Sequence, residues 1–412
     1  MRILYIAISC DPYNGSEDQI GWQVPWECSK TEEVFVVTRT DLKPSIDLFL
    51  SKNEIRKIQF IYVDMPKMAQ KLFKGTLQSL KLLIWNKKAY IEAKNVCKNN
   101  NIDIIHQITP IEYRSIGRFN EIKNIKSVCG PIGAGQNIPD PLMCYVKGKN
   151  KINEYVRSIV NSLFRKKIIR RIKKYDYVLF TNPETLDYLD GNKLNGRTEL
   201  IYDNGICECE LNAEKVNEYH KKRIENLRND VVKLLIAGRL IYIKGHDFLF
   251  DVLEMLPQNI EYELRVVGDG ELRKHIEERA LSTNLNGKVK VIGSVPYTMM
   301  NSEYSEANAL VFCSLRESSG TVILEAMKNG LPIISLNRFG ASLILDNQNA
   351  WLVNGEDIEA YKQTLYDSLI ECIQNPTVTV EKGRYAFKKA QELTWTKKVE
   401  RYKEIYHCIM KD

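Results

Sequence analysis

The 412-residue sequence predicts an α/β fold of two doubly wound, parallel-sheet domains, on three observations. Short, unbroken apolar runs alternate with helix-like spans along the whole chain. Seven of these runs precede a polar, helix-rich stretch near residues 205–228, and six follow it. Several end in small-residue turns that lead straight into a helical span. Strands covered on both faces by crossover helices lose the apolar/polar alternation of a half-exposed sheet, so such runs at crossover spacing indicate parallel order. In two domains of this kind facing each other, the strand C-terminal ends point into a shared cleft, the expected ligand site.

The first run, RILYIAIS, is too short, and too soon followed by Asp11 and Pro12, for a signal peptide, and reads as a buried strand. The turn after it carries Gly15 and Ser16 ahead of an acidic helix start. A glycine there either lets backbone N–H groups approach a ligand phosphate or serves an ordinary strand-to-helix turn. EVFVVT and IQFIYV are the next strands. IDIIHQI follows, with His106 expected at the cleft end rather than in mid-core; a lone histidine is more often structural, but one at a strand end is a site candidate. SVCGPIG runs into a Gly-rich loop, Gly130 to Pro139, that either shapes an acceptor pocket or only turns the chain. DYVLFTN and TELIYDNGI complete the set, and the linker is placed after them.

In the second set, VKLLIAGRL ends in Gly238 and Arg239, with Lys244 five positions on, just before Gly245 and a new helix. Two cations leaving the sheet beside a helix N-terminus suit a diphosphate, although a surface ion pair is the default for this pattern taken alone. YELRVVGDG supplies Gly268-Asp-Gly270. A dinucleotide fingerprint needs a third glycine where Arg273 stands, so the two glycines are expected instead to let backbone approach a base or ribose. VKVIGSV and ALVFCSL come next, the latter opening CSLRESSGTVILEAMKNGLPIIS, in which Glu317 and Glu325 are eight positions apart. Within one helix these acids would stand about 80° apart around the axis and about 12 Å along it. Ser318-Ser319-Gly320 instead opens a helix near Thr321 that Gly330 and Pro332 close, which leaves Glu317 in the loop and Glu325 inside the helix. Such a unit aims free N–H groups at whatever lies beyond the strand ends. LPIISL and AWLV finish the sheet.

With 44% hydrophobic and 27% charged residues there is material for two cores, and no apolar run approaches the ~18 residues a spanning helix needs. Ten scattered cysteines suggest reduced thiols in a cytoplasm, and Cys207-Glu-Cys209 lacks the second pair that zinc would need. The net charge of +7 resolves into +11 for residues 1–200 and −4 for the rest. Two stretches, KMAQKLFKGTLQSLKLLIWNKKAY and KGKNKINEYVRSIVNSLFRKKIIRRIKK, interleave Lys and Arg with apolar residues at helical spacing. That pattern suits an anionic membrane surface, a phosphate-bearing partner or a solvated helix face. Neither stretch has the aromatic platforms or recognised module of a nucleic-acid binder. The motifs G-x4-G-K-[ST], G-x-S-x-G and H-E-x-x-H are absent, as is an Asp-x-Asp at a strand end to hold a metal against a diphosphate.

Together these motifs resemble glycosyltransferase family 4, retaining enzymes of the GT-B fold that use nucleotide-sugar donors. Glu317 and Glu325 stand as its E-x7-E element, with GRLIYIKGHDFL, VVGDGELR, VIGSV and LEAMKNGLPII in the expected order. GSEDQIGW, HQITP, CGPIGAG and NGI look like one branch of it, and LTWTKKVERYKEIYHCI resembles its closing helix, which returns to the first domain. The resemblance implies that Arg239 and Lys244 bind the donor diphosphate and that Glu317 contacts sugar hydroxyls. Ser318, Ser319, Gly320 and Thr321 would meet sugar and phosphate through backbone N–H groups, Glu325 would hold the ribose, and Gly238 and Gly268 would line the same site. Gly15 and Ser16 would approach the diphosphate and His106 the transferred sugar. The family usually has Gly-Phe-Gly where this chain has Ser318-Ser319-Gly320, so the donor sugar is not carried over.

The expected domains are 1–210 on the acceptor side, with a C-terminal helix of about 393–412 packed back on it, and 211–392 on the nucleotide-sugar side. The expected reaction is a retaining hexosyl transfer without metal or other cofactor, from a UDP-sugar in preference to a GDP-sugar. The acceptor expected is a saccharide or lipid-diphosphate-linked saccharide of a bacterial surface polysaccharide. Expected too are a cytoplasmic location, contact with the inner membrane face through the basic first domain, and no nucleic-acid partner. The alternatives are a GT-B enzyme of other stereochemistry or with a sugar-phosphate acceptor, and a non-catalytic subunit of the same fold.

Overall fold

All thirteen apolar runs form strands, and every paired neighbour is parallel. The structure, a computed structural model, describes residues 1–65, 78–194, 196–229 and 231–411. One sheet holds β1 (Arg2–Ala7), β2 (Glu33–Arg39), β3 (Ile58–Val63), β4 (Ile104–Thr109), β5 (Lys126–Ile132), β6 (Tyr177–Phe180) and β7 (Thr198–Leu200), in the order β3-β2-β1-β4-β5-β6-β7. The other holds β8 (Val232–Ala237), β9 (Tyr262–Val267), β10 (Val289–Gly293), β11 (Ala309–Phe312), β12 (Ile333–Leu336) and β13 (Ala350–Val353), in the order β10-β9-β8-β11-β12-β13. Strand order reverses between β1 and β4 and again between β8 and β11. At such a switch point the connections depart to opposite faces and leave a crevice beyond the strand ends.

The chain divides into two units: Met1–Gln136, Glu154–Gly205 and Trp395–Asp412 form the first, Asn137–Asn153 and Ile206–Thr394 the second. In the first unit alternate residues of β1 feed two cores. Ile3, Tyr5 and Ala7 pack with Trp22 of the helix Glu17–Cys28 and with Trp395, Val399 and Tyr402 of the helix Trp395–Lys411, while Leu4 and Ile6 pack with Trp85 and Ala89 of the helix Gln78–Asn99. The C-terminal helix thus completes the unit with which the chain starts. Its buried residues recur every three to four positions, as an amphipathic helix on a sheet requires.

Two stretches fall elsewhere than expected. Residues 137–153 belong to the second unit, because Ile138, Leu142, Tyr145 and Val146 enter its core. There Tyr145 lies edge-on to Phe248, 5.6 Å between centroids, and donates to Asp251 Oδ2 at 2.9 Å. Nor is 205–228 a linker: most of it is the helix Ala213–Asn229, an integral part of the second unit. Its Arg223 is buried and donates to the carbonyls of Tyr304, Ala307, Asn329 and Gly330, at the C-terminal ends of the helices Tyr297–Glu306 and Thr321–Lys328. Burial pushes its guanidinium down to about 9, and the unpaired carbonyls of two helix termini hold the charge in place. Among the described residues no helix is long and apolar enough to cross a membrane. Of the first basic stretch, residues 67–77 lie outside the described residues.

Candidate functional site

The second unit's switch point gathers most of the residues singled out in sequence. Beyond β8 the chain passes Gly238 and Arg239, makes a short 3-10 turn, Tyr242–Lys244, and enters the helix His246–Leu253. Beyond β11 it passes Glu317 and the Ser318-Ser319-Gly320 turn into the helix Thr321–Lys328. The two connections meet in an ion pair between Lys244 Nζ and Glu317 Oε2, both side chains about four-fifths buried, at 17% and 22% exposure. Arg239 is exposed and has no ion pair among the described residues. A small cavity is lined by Gly238, Arg239, Lys244, Phe312 and Ser314.

The glycines after β9 are packed against neighbouring backbone. A Cβ on Gly268 would lie 1.8 Å from the Gly238 carbonyl oxygen, and one on Gly270 2.5 Å from that of Leu240. Gly238 N–H donates to Val267 and Gly268 N–H to Gly293, at 2.9 and 2.8 Å. The space beside Gly268 and Gly270 is therefore filled by neighbouring backbone and the bonds lock three strand-end loops together, whereas a Cβ on Gly238 would meet only Lys244 Cε, at 3.8 Å. The 317–321 turn is fastened similarly: Gly340 N–H donates to the Ser318 carbonyl at 2.9 Å, and a Cβ on Gly340 would meet that oxygen at 2.6 Å. Phe339 beside it adopts φ 61°, a strained backbone for a bulky residue and one that clusters at functional sites. Nothing in the sequence of this loop signalled its part in holding the turn.

Glu325, one turn into the helix Thr321–Lys328, accepts a hydrogen bond from Tyr304 Oη at 2.6 Å. Burial pushes its carboxyl up, and Tyr304 and Lys328 oppose that shift. Lys328 is itself paired with Glu210 at 2.6 Å. Sequence reasoning missed Tyr304, because a tyrosine in an amphipathic helix reads as core.

In the first unit, the turn after β1 leaves Gly15 and Ser16 exposed. No atom lies within 4 Å of a Cβ built on Gly15, so chain packing does not account for that glycine. Ser16 sits at φ 58°, ψ −127° ahead of the helix Glu17–Cys28. Glu17 Oε1 accepts Ile111 N–H at 2.7 Å, tying this turn to the connection after β4. Burial, with added repulsion from Glu112, Asp18 and Asp203, pushes the Glu17 carboxyl up to about 7 against the opposing Ile111 bond.

His106 requires a correction. It lies within β4, fully buried, ringed by Tyr5, Tyr402 and Tyr406 rather than at a ligand-facing strand end. Nε2 is 2.6 Å from the Gly130 carbonyl, which can only accept, so Nε2 carries the proton. Nδ1 then accepts from Tyr406 Oη at 2.6 Å, and Tyr5 Oη stands 3.2 Å behind it. Burial holds the imidazole down to about 4. Both nitrogens are committed, and His106 is a neutral strut between β4, β5 and the C-terminal helix. The Gly-rich loop also turns out to be packed: Gly130 leaves no room beside the Leu179 carbonyl, and Gly135 N–H donates to Thr185 Oγ1 at 3.1 Å.

Residues 218–384, within the second unit, match the family model for glycosyl transferases group 1. Among curated relatives, 2-deoxystreptamine N-acetyl-D-glucosaminyltransferase of Niallia circulans is 25% identical over 242 residues, 55% of this chain and 59% of that protein. The chain spans about half the length of the curated relatives it matches. Sucrose-phosphate synthase from Thermosynechococcus elongatus superposes with a TM-score of 0.67 at 19% identity, over 99% of this chain and 98% of that one. HepE of Anabaena, solved with UDP and glucose, gives 0.61 at 16% identity, over 99% and 100%. The architecture is therefore GT-B, two Rossmann-like parallel-sheet domains.

Proposed function

We propose that the chain is a retaining glycosyltransferase of family 4 type that moves a hexosyl group from a nucleotide sugar to a saccharide or lipid-diphosphate-linked saccharide. The observation that carries this reading is the meeting of Lys244 and Glu317 at the β8/β11 switch point, beside the helix Thr321–Lys328, within the stretch that matches the group 1 model. A diphosphate approaching there draws Lys244 away from Glu317, and Arg239 and the first N–H groups of that helix add their charge. Loss of one such preorganised donor costs about 3–4 kcal/mol at a transition state. The released Glu317 carboxylate is then free to accept sugar hydroxyls, and Glu325 takes the ribose. No metal is needed in this scheme.

Retention follows if the acceptor hydroxyl attacks the anomeric carbon from the side on which the diphosphate departs. The new C–O bond forms as the old one breaks, and the acceptor proton passes to the leaving phosphate oxygen. UDP is the favoured carrier, in keeping with the nucleotide bound to HepE. The acceptor class suggests bacterial surface polysaccharide synthesis at the inner membrane face. Thermal-shift measurement with UDP, GDP, ADP and their sugars tests donor binding, since a ligand of the folded state must raise Tm. A UDP-sugar should raise it, and no response to any nucleotide sugar would overturn the reading. One observation favours a second reading: Glu17, poised at about 7, is suited to a general base, which an inverting enzyme needs. Anomeric analysis of the product separates the two.

A further inference from the structure

From Glu154 onward the helix Gly148–Ile172 belongs to the first unit, and there it is built inside out. Glu154 and Asn161 are buried with Ile168 and Ile172, whereas Tyr155, Val156, Ile159 and Leu163 are 70%, 41%, 46% and 74% exposed. At about 100° per residue the four exposed apolar side chains share an arc of about 100°, and the buried set is centred about 170° away. The apolar row therefore points straight outward. Lys166 and Arg170 continue the same arc toward the C-terminus and Lys167 borders it; all three are exposed. Between residues 155 and 174 there is no Asp or Glu. On the flank of the helix, Lys167 and Arg171 join Lys87, Arg118 and one carboxylate, Glu121, which pairs with Arg118, around a cavity of 700 Å³.

An apolar row followed on one face by cations, with no carboxylate, is complementary to the boundary between acyl chains and anionic headgroups. Self-pairing fits less well: a second copy laid antiparallel and centred on Ile159 would bring Lys167 against Lys151. We infer that the outward face of residues 155–170 docks the protein on an anionic bilayer, with Tyr155, Val156, Ile159 and Leu163 entering the interface and Lys166, Lys167 and Arg170 meeting lipid phosphates. The inference deepens the proposed function by identifying the surface through which a lipid-linked acceptor is approached.

The test uses the full chain without donor or acceptor, so it stands or falls apart from the glycosyl-transfer reading. Flotation with neutral phosphatidylcholine vesicles and with vesicles holding about one-third phosphatidylglycerol should show binding to the anionic set that weakens with salt. The double variant Ile159→Asp/Leu163→Asp should bind at least about tenfold more weakly, with unchanged Tm and unchanged Tm response to UDP. Lys166→Glu/Arg170→Glu should abolish the preference for anionic lipid. The inference is overturned if wild type fails to float, if it floats equally with both lipids, or if the Asp variant floats as well as wild type. It is overturned as well if light scattering shows a wild-type dimer that the Asp variant dissolves without any lipid binding, because the row would then be a subunit interface.

Discussion

The two switch points, β1/β4 and β8/β11, have the same topology and opposite degrees of preparation. At β8/β11 each connection is fastened by backbone hydrogen bonds, Gly238 to Val267 after β8 and Gly340 to Ser318 after β11, Leu315 N–H bonds the Ile243 carbonyl between them, and the candidate side chains are already paired as Lys244–Glu317 and Tyr304–Glu325. At β1/β4 the turn is open: Gly15 has empty space around it and Ser16 is exposed, and the ties between the connections, Ile111 to Glu17 and Ser9 to Thr109, lie away from that glycine. The lesson is that one fold can offer a prepared site at one crevice and an unfinished one at another. Under the proposed reading, rigid strand-end backbone at the first keeps its dipoles aimed while Lys244 leaves Glu317 for a diphosphate. Openness at the second leaves room for a group the chain does not itself supply.

The sharpest test of the prepared site is removal of its ion pair. Lys244→Ala and Glu317→Ala should each lower turnover by about a hundredfold or more with the fold intact by circular dichroism, in line with loss of one preorganised donor. Nucleotide binding should separate them: calorimetry with UDP should show weakened affinity for Lys244→Ala and unchanged or tighter affinity for Glu317→Ala, which frees Lys244. Equal weakening in both would mean that the pair acts only as a brace.

A second test compares glycines. Gly268→Ala places a methyl 1.8 Å from backbone oxygen at φ +140°, and should cost about 2 kcal/mol or more, seen as a fall in Tm. Gly15→Ala meets nothing, so Tm should hold while turnover falls on the order of tenfold if ligand occupies that space. An unstable Gly15→Ala would erase the contrast between the crevices.

The smallest effect concerns pH. A Glu17 carboxyl raised to about 7 binds its proton more readily folded than unfolded, so its contribution is complete below the ordinary carboxylate value of about 4.5 and is lost as pH rises to about 7. His106, His220 and His246, held down to about 4, act oppositely, losing stability as pH falls from about 6.5 toward 4. Glu17→Gln should therefore gain in Tm relative to wild type between pH 5 and 7 by on the order of a few degrees. A constant difference across that range would mean that Glu17 stays ionised in the native state.

Every strand was legible, because burial on both faces leaves a continuous apolar run. The polar parts of the second unit were not. The helix Ala213–Asn229 looks like a solvated linker, and only the helix ends around Arg223 make its burial sensible. Residues 137–153 form no regular apolar run, and their destination depends on Phe248 and Asp251 about a hundred positions away. His106 was placed at a strand end because sequence shows where a run stops, not which face a residue takes; the tyrosines that enclose it come from β1 and the C-terminal helix. Lys244 and Glu317 were each recognisable as site candidates, but their pairing was not, since 73 residues separate them.

The return of Trp395–Lys411 to the first unit reverses the usual order of maturation on the ribosome. The chain emerges N-terminus first at about 5–20 residues per second, so after Gly205 leaves the exit tunnel roughly 10–40 s pass before the closing helix follows. Throughout that interval Ile3, Tyr5 and Trp22 lack Trp395, Val399 and Tyr402, whereas the second unit receives its last segment, up to Thr394, just before that helix follows. The unit that holds β1 is thus closed after the other has all its segments, and one face of its sheet stays uncovered for longer during synthesis.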